Sequence, residues 1–221
     1  MHPPGTWDYC WPKADISIFW IQTTGFLQRH FQRYIGFFTE HENEIDICTV
    51  PIEFFDAEKG EHWQNYKFGR GSRVISLDTE YNATLMFVNA SFYKQELKEK
   101  ICFDGRLVCG EDMKVNMILL MDKMAFGAVA SGRYYYRKRP QGSNPSLIQC
   151  AAGKEGWYGD YFTYLTDWAL KTFQGEDGSI PAFVQSEIMS DLQWRIRGFN
   201  EEIMLKALDH DPEETEKYKN V

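Results

Sequence analysis

Two acids, Glu111 and Asp112, stand side by side directly after Gly110 and ahead of the apolar run "MKVNMILL". If a helix starts at the glycine, both carboxylates fall in its first turn. Unpaired N–H groups and the helix dipole favour negative charge there. The placement has two readings. One is a stabilised helix start. The other is a general base: a carboxylate on a rigid, buried helix can aim at a substrate hydroxyl, and such a base contributes typically ~10²–10⁴-fold.

The second chemical cluster is "RYYYRKRPQGSN" at 133–144. Arg133, Arg137, Lys138 and Arg139 form the densest positive group in the chain. On an extended strand Arg137 and Arg139 face one side, while Tyr134 and Tyr136 face the other with Lys138. A Gly142-Ser143 turn then offers N–H groups and a hydroxyl. Arginine forks, a hydroxyl and a flexible turn suit a diphosphate. A solvated basic strand end has the same composition. The order of the parts favours the diphosphate: carboxylate helix, buried strand, aromatic and basic strand, Gly-Ser turn.

Other chemistries find little support. The histidines at 2, 30, 41, 62 and 210 do not pair at metal-ligand spacing with each other or with a cysteine. "DHD" at 209–211 reads as a solvated acidic stretch. Five cysteines, an odd number without a CxxC pair, argue against a disulfide framework or a zinc site and for a reducing compartment. GxSxG and P-loop signatures are absent.

The elements that must position these groups follow from periodicity. Leu27, Phe31, Tyr34/Ile35 and Phe38 mark an amphipathic helix. "IDICTVPIEFF" (45–55) predicts a strand, with Pro51 at an edge or a bulge because it cannot donate to a ladder. "RVISL" (73–77) and "ATLMFVNA" (83–90) predict further strands, and Ser91 a cap for a short helix. Met113, Met117, Leu120/Met121 and Met124 form one helical stripe; with Val115, Ile118 and Leu119 added, that helix is buried on most sides. "AFGAVA" (125–130) predicts a buried strand. Beyond residue 150 the pattern is helical: Tyr158, Tyr161/Phe162, Leu165 and Trp168 share one face, and Val184, Ile188, Leu192 and Arg195/Ile196 another. Pro181 suits the second helix's first turn, Gly198 its end, and a short helix from Asn200 follows.

Composition bounds the partners. In 221 residues, 24 basic groups against 32 acidic ones leave a net charge of −8, which disfavours general binding of nucleic acid or anionic membrane. The stretch "ISIFWI" (16–21) is far too short to span a bilayer. Aromatic residues make up 16% of the chain, which fits either a ring-rich core or stacking surfaces for sugars.

These residues also carry a resemblance. "FDGRLVCGEDMKVNMILL" resembles the "FDe.l..gED..f...ll" block of family 2 glycosyltransferases with a GT-A fold, and "YYYRKRPQGSN" resembles the block that follows it in bacterial members. "EIDICTVPIEFFDAEKGEHWQNYKF" and "IPAFVQSEIMSDLQWRIR" are similar to segments of bacterial enzymes that build or decorate capsule and teichoic-acid-type polymers. The likeness runs from about Phe37 to Gly198.

It implies an α/β fold: a partial GT-A-like mixed sheet with packed helices, then a C-terminal helical region. Residues 1–36 form an unplaced segment with a helix, 37–150 the acceptor-side part, and 151–221 a helical extension. It implies an inverting transfer of sugar from a nucleotide-sugar to a cell-surface polysaccharide or teichoic-acid-type acceptor. Asp112 would be the base and Glu111 its neighbour at the acceptor. Arg137, Arg139 and Ser143 would hold the diphosphate, and Tyr134 and Tyr136 would stack on sugar. A complete enzyme of this type carries a "VSVIIPvyN"-like strand and a DxD motif that holds Mg²⁺ or Mn²⁺. Neither is found here, so the metal is expected of a complete enzyme only. A truncated chain, or one served by a separate donor-binding chain, is the expectation. The partners implied are a nucleotide-sugar donor and a glycan or polyol-phosphate acceptor, handled in the cytoplasm, peripherally at the inner membrane face. The competing readings are a non-catalytic carbohydrate-binding or assembly module and a protein-interaction domain with an aromatic surface.

Overall fold

The computed structural model describes residues 34–140, 151, 154 and 156–196. Leu27 and Phe31, the Gly142-Ser143 turn, Gly198, the helix expected from Asn200 and "DHD" lie outside the described residues. Helix α1 covers 34–40 within the described range. The strands are β1 (Ile47–Thr49), β2 (Ile52–Asp56), β3 (Gly60–Glu61), β4 (Arg73–Ser76), β5 (Ser91–Tyr93), β6 (Ala125–Ala128) and β7 (Tyr134–Lys138). Two 3-10 turns, Trp63–Phe68 and Gln95–Lys100, lie between them. Helix α2 is Glu111–Leu120. Helix α3 is built from Gly159–Tyr161, a π-type turn Phe162–Asp167 and Trp168–Thr172. Helix α4 is Ala182–Ile196. The chain is therefore α/β, with two mixed sheets and several helices.

The predicted strand over 45–55 breaks at Val50-Pro51, and the break has a purpose in the topology. β1 belongs to a four-stranded sheet of order β4-β6-β1-β5, and β2 to a three-stranded sheet of order β3-β2-β7. β1 runs parallel to β6 and antiparallel to β5, and β2 runs parallel to β7. The two chain segments thus travel side by side through both sheets. At the junction Tyr134 donates its N–H to the Pro51 carbonyl (2.8 Å), using the acceptor that proline retains.

One strand and one cap are corrected. "ATLMFVNA" is not a strand. It forms no ladder; side chains meet several of its backbone groups instead, Lys67 at Thr84, Glu187 and Asn116 at Leu85, and Asp112 at Val88. Ser91 caps no helix; it opens β5, and its hydroxyl donates to the Phe87 carbonyl (2.9 Å). The reading of the cysteines is corrected at Cys102, which is disulfide-bonded; Cys48 and Cys109 are free thiols.

The main core lies between the four-stranded sheet and the helices. Ile47, Ile75 and Phe126 from the sheet meet Met113, Met117 and Leu120 of α2, and Tyr161, Leu165, Phe183 and Val184 of α3 and α4. A smaller cluster on the sheet's other face gathers Tyr34, Ile45, Cys48 and Val129. There a Cβ at Gly127 would stand 2.7 Å from both the Cys48 Sγ and Phe37, so β6 needs a glycine for α1 to pack. No helix among the described residues is long and apolar enough to cross a membrane.

Candidate functional site

Helix α2 begins where the sequence places it, and the reason is local. Gly110 has φ 92°, a left-handed conformation that glycine adopts without a Cβ penalty. A Cβ there would also stand 2.9 Å from Leu165 Cδ2 and 3.3 Å from the Tyr161 ring. The glycine therefore turns the chain into the helix and lets α3 lie against its first turn. Met113, Val115, Met117, Leu119 and Leu120 are all buried, but the helix ends at Leu120: Met121 and Met124 of the predicted stripe follow it half-buried, Met124 with φ 49°.

The loop ahead of α2 is locked by a buried ion cluster. Asp104 Oδ2 accepts from Lys114 Nζ (2.8 Å) and from Arg106 Nη2 (2.6 Å), while Arg106 Nε donates to Oδ1 (2.8 Å). Burial opposes a charge on Asp104, but Arg106 and Lys114 hold its carboxyl down to about 2. Lys114 also donates to the Tyr164 carbonyl (2.7 Å) and lies over the Trp168 ring (4.1 Å). Lys114 thus ties α2 to both the preceding loop and α3.

Asp112 sits at the N-terminal edge of α2 with limited solvent contact. Its Oδ2 accepts the Val88 N–H at 3.1 Å. Crowding by protein, with the nearby Glu111 charge second, pushes the Asp112 carboxyl up to about 7, against the opposing effect of the Val88 N–H. Burial raises Glu111 as well. An enclosed carboxylate with a proton affinity near neutrality can take a proton from a hydroxyl and release it again.

The segment facing Asp112 is residues 83–90, and it is held from several sides. Asn116 Nδ2 donates to the Leu85 carbonyl (2.8 Å), and Tyr93 in turn donates its hydroxyl to Asn116 Oδ1 (2.7 Å). Glu187 of α4 accepts the Leu85 N–H, and Lys67 donates to the Thr84 carbonyl. Burial drives both members of the Lys67–Glu187 pair toward their neutral forms. Among the described residues Glu187 Oε2 is buried without a hydrogen-bond partner. A small recess beneath the segment is lined by Gln64, Lys67, Leu85 and Phe87 among others.

The remaining site residues divide between the two faces of β7. Burial alternates along the strand: Tyr134, Tyr136 and Lys138 are half-buried, Tyr135 and Arg137 exposed. Tyr134 lies within the field of Asp112, which adds to the upward push that burial gives its phenol. Tyr136 meets Phe54 edge-on at 6.0 Å, and Lys138 stands over Phe54 at 4.4 Å. Tyr134, Tyr136 and Lys138 share one face of β7, and of these Tyr134 is near enough to Asp112 to feel its charge. Arg137 points from the strand's other face and pairs with Asp56 at 2.7 Å. Arg139 follows the strand's end, and Ser143 lies outside the described residues.

Sequence reasoning missed Asp104, Lys114, Asn116 and Glu187. For Lys114 and Asn116 the signal was present, since each interrupts an apolar helical run and such residues are buried only with partners; Asp104 and Glu187 stand among polar neighbours and gave none. Among the described residues no group of three or more His, Cys, Asp or Glu side chains is arranged to hold a metal ion. The divalent ion that the resemblance implies has no ligand set among them.

No protein-family model matches the chain. Among curated proteins, it is 31% identical over 166 residues to the minor teichoic acid biosynthesis protein GgaB of Bacillus subtilis (strain 168), covering 75% of this chain and 18% of that protein. It is 32% identical over 142 residues to the minor teichoic acid biosynthesis protein GgaA of the same organism, covering 63% of this chain and 30% of that one. The matched segment thus spans less than a third of either relative's length, and within it the chain is similar to two teichoic acid biosynthesis proteins.

Proposed function

We propose that the chain carries the acceptor-side part of an inverting, nucleotide-sugar-dependent glycosyltransferase of GT-A type, acting on a teichoic-acid-type polymer. The observation that carries this reading is Asp112: a carboxylate pushed up to about 7, fixed on a rigid helix start and held by the Val88 N–H at 3.1 Å. In the reaction, Asp112 removes the proton of an acceptor hydroxyl. The hydroxyl oxygen attacks the anomeric carbon as the bond to the nucleoside diphosphate breaks, and the bonding pair leaves with the diphosphate. Configuration inverts in that single displacement.

Glu111 acts as a neighbour, its negative charge adding to the proton affinity of Asp112. Tyr134 and Tyr136 flank the sugar. Arg137, Arg139 and Ser143 hold the diphosphate, whose growing charge is the natural target of electrostatic stabilisation. Arg137 leaves β7 on the face away from Tyr134, so for it to hold the diphosphate the leaving group must lie past that strand and displace Asp56 from its exposed pair. The similarity to two teichoic acid biosynthesis proteins supports the choice of polymer.

The test is transfer of labelled sugar from a panel of nucleotide-sugars to teichoic acid polymers. Asp112→Asn, which preserves shape and the bond to Val88, should abolish transfer while leaving the fold and polymer binding intact. Undiminished transfer by that variant would remove the reading.

A further inference from the structure

The turn Trp63–Phe68 begins with a tryptophan that is 41% exposed. Its indole lies 6.1 Å from that of Trp194 on α4, with the two planes at 46°. Rings splayed at that angle do not cover each other face to face, and the exposed part of Trp63 stays open to solvent. A large aromatic left on a short surface turn fills no core, whereas burying it would remove a large apolar area from water.

Both supports of the pair are rigid. His62 caps the turn by accepting the Gln64 N–H (3.2 Å) and meets Phe87 edge-on at 5.0 Å. On α4, Glu187 lies two turns before Trp194 on the same face, and it bonds the Leu85 N–H. The indole pair is therefore pinned to the same 83–90 segment that Asp112 holds through Val88. Direct contacts run from Asp112 to Val88, to adjoining Phe87, to His62, to Trp63 at 5.5 Å and to Trp194.

We propose that Trp63, backed by Trp194, forms a stacking platform for a pyranose ring of the acceptor polymer, away from the hydroxyl that Asp112 deprotonates. The proposal rests on the sugar-transfer reading above and deepens it. The C–H face of a pyranose is flat and apolar, while its equatorial hydroxyls remain in water; an open indole face matches the first without disturbing the second. An open-chain polyol phosphate has no such face. Of the two acceptor classes, glycan and polyol phosphate, the platform selects a polymer with pyranose rings in its repeat.

The experiment is a binding titration by calorimetry on the chain and on Trp63→Ala, Trp63→Phe and Asp112→Asn. The probes are a teichoic acid with a pyranose in its backbone repeat and poly(glycerol phosphate) as the ringless comparison. Trp63→Ala should weaken the pyranose polymer about tenfold, as loss of one desolvated aromatic contact does, while Trp63→Phe keeps most of the affinity. The ringless polymer should be indifferent to both changes. Equal affinity of Trp63→Ala and the parent for the pyranose polymer, or no binding of that polymer by the parent, overturns the platform. So does light scattering that shows a dimer dissolved by Trp63→Ala, since the indoles would then meet a second copy. The two readings fail separately. Transfer retained by Asp112→Asn sinks the catalytic assignment, whereas unchanged binding by Trp63→Ala sinks only the platform.

Discussion

Replacing Asp112 with Asn distinguishes a poised base from an acid that merely stabilises a helix start. The carboxyl is pushed from 3.8 up to about 7, first by enclosure and then by Glu111. The folded state therefore holds this proton more tightly than the unfolded chain does. Wild-type stability should fall as pH rises from about 4 to about 7, because the charged form is disfavoured only in the fold. At 1.36 kcal/mol per unit, the full penalty above neutrality is about 4 kcal/mol. Residual solvent contact at the helix edge reduces this to about 1–3 kcal/mol. Asn keeps an oxygen for the Val88 N–H but carries no charge. Asp112→Asn should thus be more stable than the parent at pH 8 by that amount, with the difference gone near pH 4. Urea unfolding followed by tryptophan fluorescence at pH 4, 6 and 8 reads it directly. A helix-start stabiliser behaves in the opposite way: its loss costs about 0.3–1 kcal/mol at pH 8. A variant less stable than the parent at pH 8 would refute the reasoning.

Three further outcomes follow from the packing. Gly110→Ala places a Cβ at φ 92° and 2.9 Å from Leu165, so it should cost about 2–3 kcal/mol in the same unfolding assay. Lys114→Met leaves Asp104 buried with part of its charge unmatched and should cost about 3–5 kcal/mol. The Asp104 carboxyl is held down to about 2, so this cluster's stability is complete above about pH 4 and is lost as pH falls through 2, where the variant and parent should converge. Arg137→Ala breaks only an exposed pair with Asp56 and should change stability by less than about 1 kcal/mol, so a raised donor KM in that variant would report diphosphate contact rather than misfolding.

How far the sequence carried this account varies by element. Helix α2 was legible in type and in start because its apolar stripe, its glycine and its leading acids agree with one another. The interruption at Pro51 was legible because a proline cannot donate to a ladder, although two sheets meeting at that point was not. Residues 83–90 misled because an apolar, β-branched run looks the same whether a neighbouring strand or a set of side chains satisfies its backbone. The needed partners, Lys67, Asn116 and Glu187, lie up to 102 positions away in sequence. The alternation along β7 was read correctly, with Tyr134 and Tyr136 on one face and Arg137 on the other. Which of those faces shares a side with Asp112 is a property of the tertiary fold, and periodicity does not contain it.

The central claim is that Asp112 is the base of a sugar transfer, and the pH dependence of that transfer tests it most directly. With saturating nucleotide-sugar and polymer, the rate should rise with pH through an ionisation near 7 and disappear in Asp112→Asn. A rate already at its plateau by pH 5, or an Asp112→Asn variant with the parent's profile, would contradict it.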